Sequence, residues 1–101
     1  MLWKKYSYTF TSMDLDGDDI YYKILWGDGE KEDWIGSYAS GEEVTVGHIW
    51  LLSGKYTIEA KARDDFGGES DWASFEVTMP RSRAFRFIDM FPTAGEIFIF
   101  D

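Results

Sequence analysis

The side chains in this chain whose types and spacing could do chemistry are acidic. Asp14, Asp16, Asp18 and Asp19 surround Gly17 in one short run, and Asp64, Asp65, Glu69 and Asp71 form a second. Carboxylates held together repel one another unless a cation joins them. Calcium suits such a set, because it takes roughly six to eight oxygens and tolerates irregular geometry. The first run is not a helix–loop–helix calcium loop: its glycine falls at the fourth position, where that loop needs it at the sixth. The plainer alternative is a pair of solvated acidic loops whose aspartates cap turns.

Other groups point to structure more than to chemistry. Asp28 sits between Gly27 and Gly29. It could touch a ligand, but an Asx turn, with the carboxylate accepting backbone N–H bonds, is the stronger reading. His48 is the sole histidine and shares an apolar face with Val44, Val46 and Trp50. With no Asp or Ser in register it is not a catalytic base, and zinc would need further nitrogen or sulfur ligands. We read it as a buried, hydrogen-bonded structural histidine. Trp26, Trp50 and Tyr56 read as core. Trp34, Tyr38 and Trp72 lie near strand ends, where exposed rings could stack on a carbohydrate or meet a partner. Carboxylate pairs for glycoside hydrolysis could be drawn from so many acids, yet all fall in solvated loops with no pocket implied. No catalytic residue is assigned, and the chain is not expected to be an enzyme.

The composition narrows this further. The 101 residues suit one domain, and 45% hydrophobic with 19% aromatic residues supply a sizeable core. There is no cysteine, which excludes a disulfide framework, a thiolate metal site and cysteine nucleophiles. A net charge of −9 argues against nucleic acid and anionic membrane surfaces. It favours cations, basic partners or simple solubility. No apolar run is long enough to span a membrane, and nothing resembles a signal peptide, so a secreted parent would hold this chain as a fragment.

The elements that must position the acids are short alternating strands. Trp3 to Ser12 puts Tyr6, Tyr8 and Phe10 on one face. Met13 to Asp19 is a loop. Ile20 to Trp26 carries large side chains on both faces, as a central strand does, and Gly27-Asp28-Gly29 turns the chain back. A short strand follows around Asp33 to Tyr38, then a loop over Ser37 to Glu43, then a strand over Glu42 to Leu51. Lys55 to Arg63 alternates most clearly, with Tyr56, Ile58, Ala60 and Ala62 inward. Trp72 to Met79 turns Phe75, Val77 and Met79 inward, and Pro80 ends it. Strands of this length with frequent turn signals make a β-sandwich. Gly54-Lys-Tyr-Thr-Ile58 resembles a tyrosine corner, in which the hydroxyl returns to nearby backbone.

Four motifs together resemble one family. Trp26-Gly-Asp-Gly29, His48-Ile-Trp50, Gly54-Lys-Tyr-Thr-Ile58 and Ala62-Arg-Asp64 with a glycine following look like a PKD domain, the polycystic kidney disease repeat. The fuller pattern resembles repeats of archaeal and bacterial secreted or surface proteins, and it covers about residues 6 to 80. The resemblance implies an all-β, immunoglobulin-like sandwich of about seven strands. It implies a non-catalytic extracellular spacer, adhesion or interaction module of a larger surface protein, meeting protein or carbohydrate at the cell surface. A carbohydrate-binding accessory module of a secreted hydrolase is the alternative. Such domains often begin with a further strand, which here is short or missing. Leu25 stands where the pattern often has an aspartate, so that residue's role does not carry over. In a sandwich of this kind the two acidic loops share one end. The expected calcium ligands are therefore Asp14, Asp16, Asp18 and Asp64, with Asp65 in reserve, and some PKD-like domains bind calcium at such loops.

Residues 81–101 form a linker and an aromatic tail. Ala84 to Phe91 could form a turn or two of helix, and Ile97, Phe98, Ile99 and Phe100 a strand with almost no polar face. A sandwich lacking its first strand exposes an edge. The tail strand could fill it in its own chain or in a partner, which would make a homo-oligomer.

Overall fold

The computed structural model describes residues 3–80 and the course of the chain over 93–100. Seven strands follow in order: β1 (Tyr6–Met13), β2 (Ile20–Leu25), β3 (Lys31–Tyr38), β4 (Val44–His48), β5 (Gly54–Asp64), β6 (Ala73–Met79) and β7 (Thr93–Phe100). They form a three-stranded sheet, β4-β1-β7, and a four-stranded sheet, β3-β2-β5-β6. The expected turn of helix over Ala84 to Phe91 lies outside the described residues.

Alternation decides which side chains enter the core. Tyr8 and Phe10 of β1 meet Tyr22 of β2, Ile58 of β5 and Val77 of β6 between the sheets, all buried. Trp26 lies one residue past β2 yet is fully buried. It packs against Tyr8, Phe10 and Trp50 with ring centroids 5.8–6.3 Å apart. Tilted and edge-on contacts of this kind suit the ring quadrupoles. The tyrosine corner forms as its sequence suggests, with Tyr56 donating its hydroxyl to the Leu52 carbonyl at 2.7 Å.

The Gly27 turn has no room for a side chain. Its φ is +86°, and a Cβ there would stand 2.7 Å from the Thr57 carbonyl oxygen. Gly27→Ala is expected to cost about 2 kcal/mol, from positive φ and backbone collision together. An unchanged urea midpoint would contradict that.

Strand β3 departs from the simple alternation. Its register with β2 shifts twice, and Trp34 takes a φ of +53°. Bulges of this kind re-aim side chains. Here they turn Ile35 and Tyr38 toward the core. Strand β4 is shorter than its apolar pattern suggests, since it stops at His48, and Trp50 is buried beyond the strand's end.

Because β1, β2 and β5 span the sandwich, the loops sort into two poles. Strand β1 ends, β2 begins and β5 ends at one pole, which gathers the acids. The Gly27-Asp28-Gly29 turn, the start of β5 and the end of β6 lie at the other.

Candidate metal centre at the acidic pole

Both acidic loops are built on the same local pattern. In the first, Asp14 Oδ1 accepts the N–H groups of Asp16 at 2.8 Å and Asp18 at 3.4 Å, and the Asp14 carbonyl accepts Gly17 N–H at 3.0 Å. In the second, Asp64 Oδ1 accepts Phe66 N–H at 2.9 Å and Gly68 N–H at 2.8 Å, and the Asp64 carbonyl accepts Gly67 N–H at 3.3 Å. Each loop is thus an Asp-x-x-Gly unit whose glycine takes positive φ. One oxygen of each lead aspartate organises its loop. Among the described residues no donor bonds the other oxygen.

The first loop is pinned from the side. Asp14 N–H donates to Ser40 Oγ at 2.9 Å, and Gly41 N–H donates to the Ser12 carbonyl at 2.8 Å. The loop between β3 and β4 therefore reaches this pole and holds Asp14, which is only 8% exposed. A buried carboxylate in a braced loop is a fixed oxygen donor.

Ligand oxygens of Asp14, Asp16 and Asp18 lie within 4.8 Å of one another. Asp64 faces Asp14 and Asp16 across an open cleft of about 400 Å³, also lined by Gly68, Glu69, Ser70 and Asp71. The cost of this crowding falls on Asp18. Partial burial, then the charges of Asp14, Asp16, Asp64 and Asp65, raise its carboxyl above the usual 3.8. The structure thus groups Asp14, Asp16 and Asp18 tightly, with Asp64 and Asp65 at electrostatic range in the facing loop. Three carboxylates with free oxygens and nearby loop carbonyls suit a hard, oxygen-seeking cation.

The opposite pole holds a contact that sequence reading missed. Asp28 Oδ1 accepts Glu30 N–H at 3.0 Å, the Asx turn expected of it. Its Oδ2 meets His48 Nε2 at 2.7 Å. The His48 ring lies parallel to Trp26, with centroids 4.6 Å apart, and edge-on to Trp50. So His48 does have an acid partner, 20 positions away, and its apolar face is a tryptophan stack. The pairing ties the β2–β3 turn to the end of β4. Asp28→Ala should cost about 2 kcal/mol, since it removes a charge-assisted bond and the turn's cap together. Double-mutant analysis with His48→Ala should show the two changes to be less than additive.

The three aromatics proposed for partner binding do not share a face. Tyr38 points inward against Tyr22, with centroids 6.1 Å apart. Trp34 and Trp72 lie with Lys61 on the outer face of the four-stranded sheet. There Lys23 and Lys61 are direct cross-strand partners, an arrangement of like charges that needs relief. Asp33 pairs with Lys23 and Glu69 with Lys61. Arg63 lies 4.4 Å over the Trp34 ring and 5.5 Å from that of Tyr21. Trp34 is therefore covered by cations, while Trp72 is 43% exposed. The bulged β3 explains why Trp34 and Tyr38, four positions apart, face opposite ways, because period-two counting fails through a bulge. The remaining candidates, Ile97, Phe98, Ile99 and Phe100, run in β7 beside Phe10 to Met13 of β1.

Comparison with known proteins places this geometry. The family model described as PKD domain matches residues 2–77. Among solved structures, the PKD domain of an M14-like peptidase from Thermoplasmatales archaeon SCGC AB-540-F20 superposes with a TM-score of 0.73 at 53% sequence identity. The match covers 76% of this chain and 79% of that one. No curated protein matches the chain.

Proposed function

From the premise that the chain belongs to the PKD domain family, we propose that it is a non-catalytic interaction or spacer module of a larger secreted or surface protein, fastened at its acidic pole by calcium. The similar archaeal domain is part of a peptidase, which is the kind of larger protein such a module serves. The observation that carries the calcium part is the triad of carboxylate oxygens within 4.8 Å, built on a buried Asp14. Asp14, Asp16 and Asp18 would hold the ion, with Asp64 reaching it from the facing loop. A bound ion supplies positive charge where the fold has crowded negative charge, and so joins two loops that otherwise repel. An extracellular setting fits this reading, because calcium is plentiful there and the fold needs no reduced thiols. The test is thermal unfolding in millimolar calcium against chelator, with isothermal titration alongside. Identical melts and no binding heat would refute the calcium site.

A carbohydrate-binding role on a secreted hydrolase is the second reading, favoured by the half-exposed Trp72, which shares Lys61 with Trp34 on the outer sheet face. It requires intrinsic tryptophan fluorescence to change on adding soluble oligosaccharides, and to stop changing in Trp72→Ala. A flat titration over a panel of such sugars would remove it.

A further inference from the structure

The three-stranded sheet contains one parallel pair. Strand β7 lies along the edge of β1 that β4 leaves free, with Thr11 opposite Phe98 and Met13 opposite Phe100. Every other strand pair among the described residues is antiparallel. The seat is therefore filled by a strand that arrives from the far sheet. Strand β6 ends at Met79 opposite Gly54, and β7 starts at Thr93 opposite Ser7, both at the pole of the Asp28 turn. The connection between them is residues 80–92. Thirteen residues can reach about 45 Å when extended, whereas stacked sheets are about 10 Å apart. That is far more chain than the crossing within one molecule needs. It also exceeds the molecule's 28 Å middle dimension, so the same strand can reach the β1 edge of a neighbour.

We propose that the outer edge of β1 is a strand-exchange site whose occupant is β7, taken either from its own chain or from a second copy. Two features favour a second copy over an unrelated partner. The seat is already matched in register to this strand over Ser7–Met13. And Ile97-Phe-Ile-Phe100 is apolar at consecutive positions, so it has to be covered in whichever molecule receives it. An emptied β1 edge would leave a row of N–H and C=O groups to be paired again by the next such strand. The exchanged contact is the native one, so the dimer gains no new interface and forms by mass action. A tether of about this length holds its own strand at roughly millimolar effective concentration. Exchange should therefore be visible near that concentration, or when copies are tethered side by side.

The absence of cysteine makes the test clean. Thr11→Cys and Phe98→Cys chains are mixed at about 1 mM, warmed briefly to permit exchange, and oxidised. Peptide mapping then counts disulfides joining the two different chains. Met13→Cys with Phe100→Cys is a second in-register mixture, which guards against one variant failing to fold. Met13→Cys with Thr93→Cys is the off-register control, since those positions lie at opposite ends of the pair. Both in-register mixtures should give mixed-chain disulfide at about ten times the control, falling away on dilution to micromolar. Yields no higher than the control would overturn the proposal. So would an in-register double variant, Thr11→Cys with Phe98→Cys, that closes only within one chain at every concentration.

Discussion

Replacing Trp26 with alanine is expected to cost about 4 kcal/mol, within the usual range for deleting a buried tryptophan. The side chain is fully buried and packs against Tyr8, Phe10, His48 and Trp50. Its indole N–H donates to Glu32 Oε2 at 3.0 Å, so truncation also strips a carboxylate of its partner. Domains of this size are stable by only about 5–15 kcal/mol. The loss should lower the melting temperature by on the order of 20 °C. Trp72→Ala is the control: its half-exposed ring lies under Lys61 Nζ at 4.7 Å, and its loss should stay below about 1 kcal/mol. A Trp26 variant whose urea midpoint matches that control would show the sandwich to be centred elsewhere.

The second large effect is the response to calcium. At a free concentration of about one hundred times its dissociation constant, an ion bound only by the folded state adds about 2.7 kcal/mol. For a domain of this size that raises the melting temperature by on the order of 10 °C. Asp18→Asn should then act with opposite signs in the two conditions. Without calcium it removes the charge that the fold tolerates least, so the variant should melt higher than the parent at neutral pH. With calcium it loses a ligand, so most of the added stability should vanish. The pH dependence follows from the raised Asp18 carboxyl. A group raised in the folded state favours folding while it is protonated. That contribution is complete below the usual 3.8 and disappears as pH climbs through the higher folded value. In chelator, the parent should lose stability across that window and the asparagine variant should lose less. Equal slopes for the two chains would mean that the carboxylates at this pole are too far apart to sense one another.

Much of the fold is legible in the sequence because alternation reports burial directly. Tyr6, Tyr8 and Phe10, then Ile20, Tyr22 and Ile24, then Ile58, Ala60 and Ala62 all enter the core on the period-two pattern. The Tyr56 corner and the Asp28 turn are equally readable, since each is a local device with its own residues. The acidic pole is legible in part. That its two loops face one another follows from the sandwich, but their shared construction does not come from counting acids. Its signal is the repeated spacing of Asp14 with Gly17 and Asp64 with Gly67. What stays hidden is what depends on contacts between distant segments. Ser40 bracing Asp14 and Asp28 reaching His48 join residues more than 15 positions apart, with nothing in either local sequence to announce them. Strand β3 is unreadable for another reason: two register shifts leave no constant period from which to deduce which way Trp34 or Tyr38 points.

The parallel seat of β7 also decides how the fold would answer a pull on its two paired strands β1 and β7. Strand β1 starts and β6 finishes at the same pole, so a sandwich ending at Met79 would have both its connections side by side. Strand β7 takes the chain back alongside β1 and delivers it beside Met13, at the far pole. Tyr6 and Phe100 thus stand at opposite ends of the β1–β7 pair. Tension between them pulls β1 toward its own beginning and β7 toward its own end, so the two parallel strands slide past one another. Their hydrogen bonds are then strained all together, in shear, rather than opened one at a time like a zipper.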